Sequence, residues 1–149
     1  GFSKQPFQIA LLRKEFDRLL AEHKLQETAQ PEQVEHFYTQ YGRGGLKIIE
    51  AIKEQPESGE PLLEGYPFCR AEIIYILDHE FAPKLIDIMC RRTEAQWTVW
   101  HYLQEQLAEE VASVMASYYQ WNENRIKAEL NEYLDYVYNN VRFLKEKSE

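Results

Sequence analysis

Cysteine is nearly absent from this 149-residue chain: Cys69 and Cys90 are the only two, and they lie in no metal-ligand spacing. Two thiols do not make a disulfide scaffold. Their usage suits a reducing compartment, with a single Cys69–Cys90 bridge left open. Glycine and proline number six each, in short clusters rather than tracts, so the chain is neither collagen-like nor low-complexity. Positive charge is in deficit, with 17 basic against 25 acidic residues and a net charge of −8. A surface of that sign repels a phosphate backbone, so nucleic acid is not an expected partner of the whole, although a local basic patch stays open. No apolar run approaches the roughly 18 residues of a spanning helix, and no signal-peptide core stands near the start. Gly1 reads as a residue left by tag cleavage, with the natural protein starting elsewhere.

What is present is apolar and aromatic: 44% hydrophobic and 13% aromatic residues, too much for a disordered chain. A domain of this size buries roughly 70% of its unfolded surface, enough for a core without disulfides or metal. The periodicity is helical almost throughout. Ile9, Leu12, Phe16, Leu19, Leu20 and His23 trace one stripe, which makes His23 a partly buried core histidine. Pro31 opens a second helix with Val34, Phe37, Tyr38 and Tyr41 inward, and "YGRGG" (41–45) breaks it. Leu46, Ile49 and Ile52 mark a third. "QPESGEP" (55–61) reads as a surface loop. Ile73, Ile76, Leu77 and Phe81 share a face of the next helix, and Pro83 opens a short one to about Arg92, burying Leu85, Ile86 and Met89.

Thr93 and Gln96 form a capping-box pattern, a start signal in which each side chain satisfies the other's backbone N–H. From there Trp97, Trp100, Leu103, Leu107, Val111, Val114 and Tyr118 trace a long helix. Asn122 is a natural N-cap for the last, which carries Ile126, Leu130, Tyr133, Leu134, Val137, Val141 and Leu144. The expected architecture is all-α, a helical bundle of about six to seven helices with two long antiparallel C-terminal helices. It is taken as a single domain over residues 1–149.

"DIMCRRTEAQW" (87–97) sets Arg91 and Arg92 side by side in this acidic chain. They suit the negative end of a helix, with Asp87 one turn earlier as an i,i+4 partner. They also suit burial against Glu72 or Glu80, or a clamp for a phosphate or carboxylate. Spacing favours the two structural readings. A bundle di-metal centre needs Glu-x-x-His motifs on two helices, and none occurs. His101, Glu105 and Glu109 share a face that reads as solvated. "GRGG" follows no strand and fits neither a dinucleotide nor a Walker fingerprint. Neither cysteine has a partner motif for nucleophilic work. Trp97, Trp100 and Tyr102 exceed what one buried stripe needs, which hints at a contact on a second face. No catalytic, cofactor-binding or metal-ligating residue is assigned.

One resemblance covers about residues 66–137 specifically and 31–65 loosely. "YPFCRAEIIYILDHEFAPKLIDIMCRRT" and "VASVMASYYQWNENRIKAELNEYL" resemble the C-terminal helical domain of FAD-dependent glycerol-3-phosphate dehydrogenases. The matching positions are Tyr66, Pro67, Ala71, Glu72, Tyr75, Glu80, Asp87, Arg91, Arg92, Thr93, Met115, Ala116 and Trp121. The chain departs from the family pattern where Glu94 and "AQWTVW" follow the Arg-Arg-Thr, and where Gln120 stands in place of the usual glycine before the tryptophan.

The resemblance implies an excised cap domain, inactive by itself. Its parent would oxidise glycerol 3-phosphate to dihydroxyacetone phosphate with FAD, passing electrons to a membrane quinone, or to oxygen in the related glycerophosphate oxidases. It also implies a partner, the N-terminal FAD- and substrate-binding domain of the same chain. A homodimer stays open. Cytoplasmic location follows, with membrane contact only peripheral and through the full-length enzyme. Structural or interdomain roles fall on Glu72, Tyr75, Glu80, Asp87, Arg91, Arg92 and Thr93. A stand-alone helical interaction module is the alternative.

Overall fold

The computed structural model describes residues 6–92 and 103–147, with side chains described for 6–90 and 103–139. The elements are α1 (Pro6–Glu22), α2 (Pro31–Tyr41), α3 (Gly45–Glu54), α4 (Arg70–His79), α5 (Leu85–Asp87, continued by a π turn over Ile88–Arg92), α6 (Gln104–Tyr119) and α7 (Glu123–Lys147). No strand occurs among the described residues, so the protein is all-α as its periodicity predicts. The chain divides into two compact units, residues 1–60 and 61–149.

In the first unit the core is Phe16, Leu20, Leu25, Val34, Phe37, Ile48, Ile49 and Ile52. Each such side chain stabilises the fold by roughly 1.5–3 kcal/mol relative to exposure. Pro31 opens α2, where a missing N–H costs nothing because the first helical donors have no internal partner. Gln33, also buried, accepts the Gln30 N–H at 3.3 Å and donates Nε2 to the Gly59 carbonyl at 2.7 Å. Gly42 ends α2 at φ 57°, ψ −130°, where a side chain is strained. Gly45 lets α3 approach α2 closely: a Cβ there would stand 2.9 Å from the Phe37 carbonyl oxygen.

Three expectations fail in this unit. Ile9 and Leu12, at the start of the first stripe, are exposed. His23 is exposed rather than core. Helix α1 stops at Glu22, Lys24 takes φ 57°, and the reversal puts Leu25 inward in its place. Lys53 Nζ donates to the carbonyls of His23 and Lys24 at 3.4 and 3.3 Å, answering the orphan acceptors of that helix end. The segment 55–61 is not merely a loop. Pro56–Gly59 forms a 3₁₀ turn, and its Ser58 is buried, donating Oγ–H to the Gln55 carbonyl at 2.7 Å.

The second unit opens on an antiparallel bridge between Pro61 and Cys69, with the Leu62 N–H on the Phe68 carbonyl at 2.8 Å. Its core joins Ile73, Ile76 and Leu77 of α4 and Leu85, Ile88 and Met89 of the short helical segment. Leu107, Val111, Val114 and Met115 of α6 and Tyr133 and Val137 of α7 complete it. Phe81 does not follow its stripe inward and is 86% exposed. The helix ends at His79, Glu80 is extended, and Ala82 takes the buried place. Helix α5 starts two residues beyond Pro83, after an extended Lys84.

Helices α6 and α7 are antiparallel neighbours, 16 and 25 residues long. The chain reverses through Gln120 in the left-handed region (φ 59°, ψ 48°), with the Trp121 N–H on the Ala116 carbonyl at 3.0 Å. Asn122 then caps α7, its Oδ1 accepting the Arg125 N–H at 2.8 Å. The side chains of Val141 and Leu144 lie outside the described residues.

Candidate functional site

The residues singled out by sequence gather on α4, its C-terminal extension and the short α5 segment of the second unit. Cys69, at the N-cap of α4, is wholly buried, and burial pushes its thiol up to about 12. At that value it is protonated and inert as a nucleophile, as its lack of a partner motif suggests. Glu72 lies on the first turn of α4 and is also fully buried. Burying a carboxyl group this far from water is costly unless it is hydrogen-bonded or paired. Tyr75 is half-buried and stacks on His79 with ring centroids 4.2 Å apart, while His79 Nδ1 meets the Tyr75 carbonyl at 2.9 Å. Glu80 follows at the helix C-cap, half-buried.

Asp87 turns back on its own helix. Its Oδ2 accepts the Lys84 N–H at 3.1 Å, while its N–H donates to the Lys84 carbonyl at 3.0 Å. Asp87 therefore starts this segment as well as standing one turn before the arginines. The backbone of Arg91 and Arg92 forms the end of the π turn. Such turns widen the helix by one residue and often accompany function. The side chains of Arg91 and Arg92 lie outside the described residues. So do Thr93, Gln96, Trp97, Trp100, His101 and Tyr102.

The groups that fasten this segment to α7 are not among the residues that the sequence motifs single out. Glu129 is 4% exposed and accepts the Leu85 N–H at 3.0 Å through Oε2. Its Oε1 receives Arg125 Nε at 2.9 Å, and the Arg125 guanidinium lies 5.0 Å from the centre of the Trp121 ring. Outside it, Lys84 Nζ pairs with Glu132 at 2.6 Å. That pairing raises the Lys84 pKa, chiefly through the hydrogen bond. Tyr133, at the core of α7, donates its hydroxyl to Gln104 Oε1 on α6 at 2.5 Å, and burial raises its pKa. A signal for Glu129 was available. It sits at helical spacing between Ile126, Leu130 and Tyr133, a charged residue on an apolar stripe.

The aromatic residues at the α6–α7 turn are not core. Tyr118 and Tyr119 are 41% and 39% exposed. They tie α6 to the end of α4, through Asp78 Oδ1 at 2.8 Å and the Ala82 carbonyl at 3.3 Å. Among the described residues no group of three His, Cys, Asp or Glu side chains is arranged to hold a metal. Glu105 and Glu109 are exposed on α6. No helix among the described residues is long and apolar enough to cross a membrane.

The comparisons with known proteins agree on a family. A model described as the C-terminal domain of alpha-glycerophosphate oxidase matches residues 8–126. A glycerol-3-phosphate dehydrogenase of Synechocystis sp. is 23% identical over 107 residues, 72% of this chain and 19% of the relative. A probable mitochondrial glycerol-3-phosphate dehydrogenase of Dictyostelium discoideum is 30% identical over 108 residues, 72% of this chain and 17% of the relative. The chain thus corresponds to less than a fifth of the length of the curated relatives it matches. No solved structure gives a significant match.

Proposed function

The chain belongs to the family of the C-terminal domain of alpha-glycerophosphate oxidase, and on that premise we propose that it is the helical cap of an FAD-dependent glycerol-3-phosphate dehydrogenase. The observation that carries this is the agreement of the family match with two relatives bearing that enzyme's name. The match spans both compact units, which supports treating residues 1–149 as one cap domain. The parent would convert glycerol 3-phosphate to dihydroxyacetone phosphate, with FAD taking the hydride and a quinone the electrons. FAD belongs to the remainder of such a polypeptide. The Gly42–Gly45 cluster joins two helices and follows no strand, so it does not fit a flavin diphosphate.

Within the cap, we assign the Arg91–Arg92 pair, together with Glu72, Tyr75, Glu80, Asp87 and Thr93, to the joint between helices and toward the catalytic part. The complete burial of Glu72 and the placement of the pair at the end of an anchored π turn support this. The working location is the cytoplasm, at the inner membrane only through the full-length enzyme.

A glycerol-3-phosphate:dye reduction assay with added FAD tests the reading. The 149-residue chain gives no turnover, and the longer polypeptide of its reading frame does. Turnover by the 149-residue chain would overturn the assignment. In the longer polypeptide, Arg92→Glu lowers the melting temperature or FAD retention; unchanged values would remove the role given to the pair.

A further inference from the structure

The connection between α4 and α5 carries the exposed Phe81 and leads into the π turn that ends at Arg91 and Arg92. Side chains of the α6–α7 hairpin hold it. Tyr118 binds Asp78 and Tyr119 binds the Ala82 carbonyl, both from the last turn of α6. Glu132 pairs with Lys84 and Glu129 accepts the Leu85 N–H, both from α7. One ring stands between the two sets. Trp121, where the hairpin turns, stacks on Tyr119 with ring centroids 5.9 Å apart and planes 20° from parallel. Its second neighbour is Arg125, whose guanidinium lies 5.0 Å from the ring centre.

Both neighbours of the ring grip the connection with their far ends. The Tyr119 hydroxyl donates to the Ala82 carbonyl at 3.3 Å. Arg125 Nε donates at 2.9 Å to Glu129 Oε1, and Glu129 Oε2 takes the Leu85 N–H at 3.0 Å. Glu129 is 4% exposed, and a buried pair that loses one partner is left with an uncompensated charge. Arg125 is 47% exposed and, without the ring, would sample many rotamers. The ring restricts it, because a planar guanidinium lies on an aromatic face and keeps its N–H groups free for a carboxylate. We infer that Trp121 is a positioning residue: through Tyr119 and Arg125 it fixes Ala82 and Leu85, and with them the place of the Arg91–Arg92 turn. Trp121 has no part in the joint assigned above, so this adds the α6–α7 turn as the element that sets where the pair stands. The bearing of this on a parent enzyme rests on the reading of the chain as a cap domain. The positioning within the chain does not.

Amide exchange of the 149-residue chain, resolved residue by residue by NMR, tests this. Trp121→Leu removes both ring contacts, Trp121→Phe keeps a ring face, and Arg125→Gln removes the guanidinium alone. Trp121 is half-buried at a surface turn, so none of the three opens the core. Exchange at residues 85–89 becomes at least about threefold faster in Trp121→Leu and in Arg125→Gln, the size expected for losing a cation–π contact and the hold it supports. Trp121→Phe stays near the unsubstituted rate. Val111–Met115, in the core of α6, keep their rates in all three. The double variant Trp121→Leu/Arg125→Gln falls short of the product of the two single effects, because both act on Glu129. Unchanged exchange at 85–89 in Trp121→Leu would overturn the inference. Equal acceleration at 85–89 and 111–115 would also overturn it, since Trp121 would then stabilise the whole unit without positioning the turn. Neither result touches the cap reading, which the dye assay tests separately.

Discussion

Glu129 caps Leu85. Its carboxylate, buried on the last helix, takes the first backbone N–H of a helix 44 positions earlier in the chain. An N-cap is usually the residue just before the helix, but here Lys84 leaves that place open and α7 fills it.

Truncating that carboxylate should therefore loosen the segment leading to Arg91 and Arg92. Glu129→Ala strands a buried N–H and costs about 1–3 kcal/mol in urea unfolding. Glu129→Gln keeps an acceptor and falls between. Glu132→Ala, which breaks only the exposed pair with Lys84, leaves the midpoint nearly unchanged. Equal effects at 129 and 132 would deny Glu129 the capping role.

Stability should decline in alkali, and Cys69 sets where. Its ordinary value of 9.0 is raised to about 12 in the fold by burial. The unfolded chain therefore gives up this proton near pH 9 while the folded chain keeps it. The stabilisation is complete below pH 9 and is lost between 9 and 12, at up to about 1.4 kcal/mol per pH unit. Tyr133, also raised by burial, adds in the same direction above pH 10. Urea midpoints at pH 8 and 10 should converge in Cys69→Ala, and a thiol reagent at pH 8 should leave native Cys69 unmodified. Rapid modification without unfolding would contradict its burial.

Gln120 occupies a left-handed position, at φ 59°. A side chain there costs roughly 1 kcal/mol in backbone strain. Gln120→Gly should raise stability by about 0.5–1 kcal/mol in thermal or urea melts. Asn122→Ala, two residues on, should lower it by about 1 kcal/mol because α7 loses its cap. If Gln120→Gly were destabilising, the side chain would have a contact that outweighs the strain.

Gly45→Ala should act on the first unit. The added methyl would stand 2.9 Å from the Phe37 carbonyl oxygen, a backbone atom that cannot swing aside. Helix α3 must move away from α2, at about 1–3 kcal/mol. Amide exchange over residues 31–54 should speed up, with residues 104–137 little affected. Unchanged exchange over 31–54 would mean the contact is not a tight one.

Periodicity was enough to read the helices because burial of an apolar face imposes a 3.6-residue repeat on the chain. Ile73, Ile76 and Leu77, or Leu107, Val111 and Val114, are legible in that way, and so are local signals such as Asn122 and the glycine break after Tyr41. Their partners lie within four residues. His23 and Phe81 face outward for one reason: each continues a stripe past the point where its helix stops, and beyond that point the helical repeat no longer sets the direction of a side chain. Glu129 with Leu85, Gln33 with Gly59, and Tyr133 with Gln104 are 44, 26 and 29 positions apart, a distance that no local pattern spans. Only the folded chain decides such pairs, because a buried carboxylate, amide or hydroxyl takes whatever complementary group packing brings within about 3 Å of it.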